Sequence, residues 1–241
     1  MIVRGQAAIG IALALAVIGA WAVLHVYGVF FHPLSAGGLL VAPLLVAVAC
    51  WLNVGLFIIA HDAMHGSLAP GRPAVNRAFG RVSLALYAGF VFDTLLPKHF
   101  AHHRAPGTEH DPDFSARHPR RFWPWYLQFL REYFGIAQLL VLSALSAAYL
   151  LIGARYANLL LFWALPAILS SLQLFYFGTY RPHRQEDRPF ADEHRARSNG
   201  MGWLPSLLSC FHFGYHHEHH LAPHVPWWRL PAERKARAPV R

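Results

Sequence analysis

Between Gly5 and His61 the sequence contains no Asp, Glu, Lys or Arg. Over the whole chain these four types make up only 14% of residues, where soluble domains carry roughly 25%. Apolar types reach 55%, which excludes a disordered chain. They come in long blocks rather than as a dispersed core pattern, which argues against a soluble globular domain as well. Cysteine is nearly missing: Cys50 sits inside an apolar block and Cys210 in a His-rich tail. No motif links them, so no disulfide is expected and the chemistry is placed on a reducing side. Internal repeats and low-complexity linkers are absent. The first apolar block is too long for a signal peptide and has no persuasive cleavage site.

A helical crossing needs about 20 residues, so the uncharged N-terminal block is too long for one. A break at His32, Pro33 and Gly37-Gly38 divides it into spans at about 7–29 and 37–60. Two further uncharged stretches, 133–154 and 156–180, predict two more spans. Residues 82–92 are uncharged but too short to cross, and predict an interfacial helix. The expected fold is therefore an all-α integral membrane protein, one domain over residues 1–241. It has four transmembrane helices, a short interfacial helix and a His-rich helical cap built from 61–132 and 181–241.

The formal charge is +9, from 21 Lys and Arg against 12 Asp and Glu. In the four-span arrangement Arg4, the nine basic residues of 61–132 and the ten after Tyr180 share one side, leaving Arg155 alone on the other. The positive-inside rule makes the crowded side cytoplasmic, both termini included. Topology accounts for the charge, and no recognition fold accompanies it, so nucleic-acid binding is not expected.

Histidine is what the chain has in excess, 17 residues. Three clusters stand out: His61-Asp-Ala-Met-His65, His99-Phe-Ala-His102-His103 and His216-His-Glu-His219-His220. At this content chance supplies about one HxxxH but only roughly 0.08 of an HxxHH, and the chain has two of the latter. Spacings of three and four put side chains on one helix face. Each cluster can thus present its rings together, and all three fall on the cytoplasmic side. His183, in Thr179-Tyr-Arg-Pro-His183 just beyond the fourth span, is expected at the height of His61 and joins as a ninth ligand. Eight or nine imidazoles exceed the four ligands of a tetrahedral zinc and suit two metals of higher coordination number. Imidazole binds several transition metals. Iron is favoured because a redox metal beside an apolar cavity gives the site a task, oxygen activation against an apolar substrate. A metal transporter is the rival from another class, but it needs ligands inside its spans, and these hold no charged residue. A protein that merely holds an apolar ligand leaves the His clusters without a purpose.

The HxxxH, HxxHH, HxxHH set on a four-span chain resembles the membrane fatty acid desaturase/hydroxylase superfamily. Within it, FIIAHDAMHGSLAPGRP, HHRAPGTEHDPDF, FGTYRPHR and CFHFGYHHEHHLAP are similar to stretches of bacterial β-carotene ketolases. The resemblance implies a di-iron, dioxygen-dependent oxygenase in a bacterial inner membrane. It would convert carbon 4 of the β-ionone ring of β-carotene, or of zeaxanthin, to a ketone with electrons from a ferredoxin-type donor. Two hydroxylations at one carbon and loss of water give the ketone. The implied ligands are His61, His65, His99, His102, His103, His216, His219 and His220, with His183 matching a fourth motif. Carotenoid 3-hydroxylase, fatty acid desaturase and fatty acid hydroxylase are the alternatives within the superfamily.

Metal-bound histidines usually donate their second N–H to a carboxylate or carbonyl. Asp111, in a Pro-bracketed turn eight residues past His103, is the first choice for that supporting role, with Asp62, Asp93, Asp113 and Glu218 behind it. Phe175, Tyr176 and Phe177, just before His183, are the candidates to line the ring pocket, a lipid-facing stripe being the equal alternative. Phe122-Trp-Pro-Trp125-Tyr126 and Trp227-Trp228 read first as interfacial anchors.

Overall fold

The computed structural model describes residues 5–237 and is all-helical among them. Three helices are long and apolar enough to cross a membrane. These are α1 (Gln6–Phe31), α2 (Ala36–Met64) and α7 (Tyr156–His183). Between α2 and α7 lie two bent pairs. The first is α3 (Pro73–Ala88) with α4 (Phe92–Arg104) at 99°, the second α5 (Phe122–Tyr133) with α6 (Ile136–Leu151) at 78°. If each pair counts as one span, there are up to five. Short helices α8 (Trp203–Cys210), α9 (His216–Leu221) and α10 (Leu230–Arg237) follow among the described residues.

Two boundaries differ from the sequence reading. Residues 82–92 do not form a separate interfacial helix. Val82–Ala88 is the second half of α3, Gly89 ends it with φ 67°, and Phe92 opens α4. Only a residue at ease with positive φ can make that corner. The stretch 133–154 also divides: Tyr133 closes α5, and α6 begins at Ile136 after Gly135. At 1.5 Å per residue α6 is about 24 Å long, short of the roughly 30 Å hydrocarbon layer.

Contacts at both ends fix how these helices stand. At one end Gln6 Nε2 donates to Ser67 O at 2.9 Å, tying the start of α1 to the exit of α2. At the other, Asn158 Nδ2 on α7 donates to Gly28 O and His32 O at 2.8 and 2.9 Å. Near the end of α6, the Tyr149 ring lies 5.4 Å from Phe30 and 5.2 Å from Trp163 at that same far end. At the other end of the α5–α6 unit, Glu132 meets Lys98 of α4 at 2.7 Å. So α6 reaches between the His-rich end and the far end, running with α1 and opposite to α2 and α7. The core sits along α2: Val54, Leu56 and Ile58 are fully buried. A Cβ at Gly55 would lie 2.7 Å from Phe211 Cζ and 2.8 Å from Val17 Cγ1, so α1 and the turn before α9 both press on that glycine. Cys50 and Cys210 are buried and unpaired. Trp125 is no interfacial anchor: its ring is fully buried and its Nε1 donates to Asp113 O at 2.7 Å.

Candidate metal centre

Every predicted ligand sits in the last turns of a helix or on a short one, at the end of the bundle where Gln6 meets Ser67. α2 ends on His61 and, one residue past its last turn, His65. The last two turns of α4 present His99, His102 and His103. α7 closes with His183, immediately after a π-helical turn over Phe175–Tyr180. α9 carries His216, His219 and His220 on six residues. The chain enters α9 through a tight turn in which Phe211 and His212 both take positive φ, 48° and 63°.

The nine rings fall into two groups. His61, His65, His99, His103 and His219 form one, and His102, His183, His216 and His220 the other. Within each group one ligand atom per residue lies within 4.8 Å of all the others. The two groups touch where the His103 and His220 rings stack at 4.4 Å. Ring nitrogens face one another closely: His65 and His99 Nε2 at 2.6 Å, His103 and His219 Nε2 at 3.1 Å, His102 and His220 Nε2 at 3.2 Å. Each group also holds a buried Nε2 with no hydrogen-bond partner among the described residues, that of His61 in the first and of His183 in the second. Buried polar atoms are normally satisfied, and converging lone pairs repel unless a cation lies between them. The donor set therefore fits two metal ions, one per group. Burial first, then the neighbouring imidazoles, holds His216, His219 and His220 well below the usual histidine range. They are neutral at pH 7, the form that binds metal.

A second layer orients these rings. His102 Nδ1 donates to Asp111, whose carboxylate also accepts from the backbone N–H groups of Gly107 at 2.7 Å and Asp113 at 2.8 Å. His183 Nδ1 donates to Arg195 O at 2.8 Å. Asp62 accepts from Trp227 N at 3.1 Å, pinning the C-terminal segment to α2. Glu218 accepts from Ser198 Oγ and pairs with Arg234 at 3.1 Å. Burial pushes the Asp113 carboxyl up to about 6, and it accepts the Tyr133 hydroxyl. Asp93 does not reach the site; it pairs with Arg81 on the surface at 2.7 Å. His217 faces Asp192 at 2.6 Å, outside both groups. His25, bonded to Tyr149, belongs to the far end. The Arg195 carbonyl, Ser198, Arg234 and Tyr133 were not legible beforehand, since no sequence spacing marks them.

Beside the rings a cavity of about 620 Å³ runs between α2, α4, α5, α6 and α7. Five of the imidazoles reach it, those of His61, His99, His102, His103 and His216. The remainder of its wall is mostly apolar, including Phe57, Met64, Phe90, Leu95, Phe129, Leu142 and Ile168. From the end of α7 the wall takes Leu174, Gly178 and Thr179. Phe175, Tyr176 and Phe177 are not among its lining residues. Phe175 is fully buried against Trp125 and Tyr180, Phe177 packs on the cluster around Phe211, and Tyr176 faces outward.

The family model described as Fatty acid desaturase matches residues 35–143 and 132–240. The chain is 50% identical over 233 residues to a protein named Beta-carotene ketolase from a Paracoccus species, covering 96% of this chain and 94% of that one. A Beta-carotene ketolase from a second Paracoccus strain is 50% identical over 220 residues, 90% of this chain and 89% of the other. A Zeaxanthin 4-ketolase of Chlamydomonas reinhardtii is 38% identical over 241 residues, 92% of this chain and 52% of its own length.

Proposed function

The chain belongs to the fatty acid desaturase family, and we propose that the whole of it, residues 1–241, works as one such domain. It is a membrane carotenoid 4-ketolase, an oxidoreductase whose histidine groups fit a di-iron site. The observation that carries this is the meeting of nine imidazoles, six buried and three half-buried, with a long apolar cavity at one end of membrane helices.

The metals in this reading are iron, held by His61, His65, His99, His103 and His219 in one group and by His102, His183, His216 and His220 in the other. When bound, the irons supply dioxygen activation for oxidising an unactivated C–H bond, with electrons from a ferredoxin-type donor. The protein does the rest. A carotenoid ring has no group for an acid, base or nucleophile to grip. It is positioned by shape and by exclusion of water. Phe90, Leu95, Phe129 and Leu174 form the apolar walls, and Phe57, Met64 and Gly178 flank the imidazoles. Asp111 keeps the His102 ring in the tautomer whose Nε2 is free for metal. The lining residues Leu142 on α6 and Ile168 on α7 are only partly covered by protein, which supports entry of the polyene from the bilayer between those helices, ring end first.

We further propose four crossings, α1, α2, α6 and α7, with the metal end facing the cytoplasm of a bacterial inner membrane. The sidedness of Lys and Arg supports that orientation. Substrates are β-carotene and, given the Chlamydomonas relative's name, its 3-hydroxylated form. The test is to purify the protein, count iron, and assay conversion of β-carotene with and without dioxygen. Two irons per chain and an oxygen-dependent 4-keto product are expected. Only 3-hydroxylated product, or altered acyl chains, would sink the ketolase reading.

A further inference from the structure

Asp113 is the one carboxylate among the residues lining the cavity. Its backbone is clamped: the carbonyl accepts from Trp125 Nε1 at 2.7 Å, and the N–H donates to Asp111 at 2.8 Å. Oδ1 accepts the phenol O–H of Tyr133, the last residue of α5. Oδ2 takes no hydrogen bond among the described residues. It lies 3.8 Å from His102 Nδ1, beyond hydrogen-bond reach, and that nitrogen is already committed to Asp111. The side chain keeps 16% of its surface open. Another polar pair on the wall, Tyr126 and Ser171, is closed on itself at 2.9 Å. A rigidly held acceptor therefore looks into an apolar cavity, next to the ring of His102.

A hydrocarbon ring gives that acceptor nothing to bind. The same ring after one oxygenation does, because carbon 4 then carries a hydroxyl. An alcohol left without a partner in an apolar cavity is disfavoured and tends to leave. One partnered to a fixed carboxylate stays, with the remaining hydrogen on carbon 4 still at the metal end. We propose that Asp113, oriented by Tyr133, holds the 4-hydroxylated ring between the two oxygenations, so that the alcohol is carried through to the ketone. This rests on the ketolase reading. The second round consumes one dioxygen, two electrons from the one-electron donor and two protons. One oxygen atom enters the remaining C–H bond and the other leaves as water. The resulting geminal diol then loses a second water: one C–O bond breaks, the other hydroxyl gives up its proton, and C=O forms.

The experiment is Tyr133→Phe, supplied with β-carotene, with iron counted and the ratio of 4-hydroxy to 4-keto rings measured. The phenyl ring keeps its packing while Asp113 loses the bond that aims it. Iron should stay at the wild-type level and the alcohol-to-ketone ratio should rise at least about tenfold, the size of one hydrogen bond to a charged acceptor. An unchanged ratio, whatever the total yield, overturns the proposal and leaves Tyr133 structural. If the variant gives no product, wild-type protein decides. The 4-hydroxylated carotenoid should then inhibit β-carotene turnover at least about fivefold more strongly than its 4-methyl ether, which has no O–H to donate. Equal inhibition overturns it. Wild-type protein that puts no oxygen on carbon 4 would instead refute the ketolase reading itself.

Discussion

His102 Nδ1 lies 3.0 Å from both carboxylate oxygens of Asp111, with both side chains buried. Only a ring carrying its proton on Nδ1 can make that contact, so Nε2 is left with its lone pair directed at His183, His216 and His220. The carboxylate is anchored in turn by two backbone N–H groups. It cannot swing away without leaving those donors unmet.

Asp111→Asn should be costly for that reason. An amide has one acceptor oxygen where the carboxylate has two, and its NH₂ would face N–H donors. Loss of such a supporting partner typically costs 10–100-fold in metal affinity or activity. Turnover of β-carotene is expected to fall in that range, with the loss in iron confined to one of the two ions. Elemental analysis of the purified variant beside its activity checks this. Full activity with both irons would show that His102 needs no carboxylate.

The two orphaned nitrogens give a sharper contrast. His61 belongs to the five-ring group and His183 to the four-ring group. His61→Ala and His183→Ala are each expected to abolish ketone formation and to lower bound iron from about two per chain towards one, as the ligand grouping requires. The double variant should approach zero. If His183→Ala retained two irons and normal ketone yield, His183 would not be a ligand.

The nine rings that the structure gathers into two groups were each singled out in the sequence, eight of them because spacings of three and four leave rings on adjoining helix faces and His183 from its place at the end of the last span. Asp111 could also be found, from its short distance beyond His103. The ring pocket could not. α7 is apolar on every side, so hydropathy does not mark its inward face; Ala167, Ser171, Leu174 and Gly178 follow one face at helical spacing and reach the cavity, while the three aromatics between the last two turn away from it. The corner at Gly89 and the break before α6 were missed for a similar reason: hydropathy registers a missing charge but not a change of direction. Arg195 meets His183 through its carbonyl, which no side-chain pattern announces.

Removing the metals should loosen α9 before anything else. Its six residues carry three ligands, and facing nitrogens at 3.1 Å between His216 and His220 repel once no cation separates them. An ion present at a hundredfold its dissociation constant stabilises the folded chain by about 2.7 kcal/mol, so chelation should also lower the unfolding temperature. Hydrogen exchange is expected to accelerate first across residues 198–221, with α2 and α7 unchanged at mid-helix. Uniform acceleration over the whole chain would mean the helices, too, depend on the metals.

The cavity wall offers a test that leaves the metals alone. Gly178 lines the cavity, and a Cβ there would meet the Phe213 ring at 3.4 Å, an ordinary contact. Gly178→Leu should therefore be accommodated by the fold while its longer side chain enters the space beside His61 and His216. We expect iron to remain at two per chain and β-carotene turnover to drop at least about tenfold, since overpacking typically costs 1–3 kcal/mol. Tyr176→Ala, outside the cavity, should leave turnover within about twofold, as surface changes away from a site usually do. Both variants are compared in the same membranes by product yield per iron. The reverse order, with Tyr176 sensitive and Gly178 indifferent, would place the ring on the outer face of α7 and away from the imidazoles.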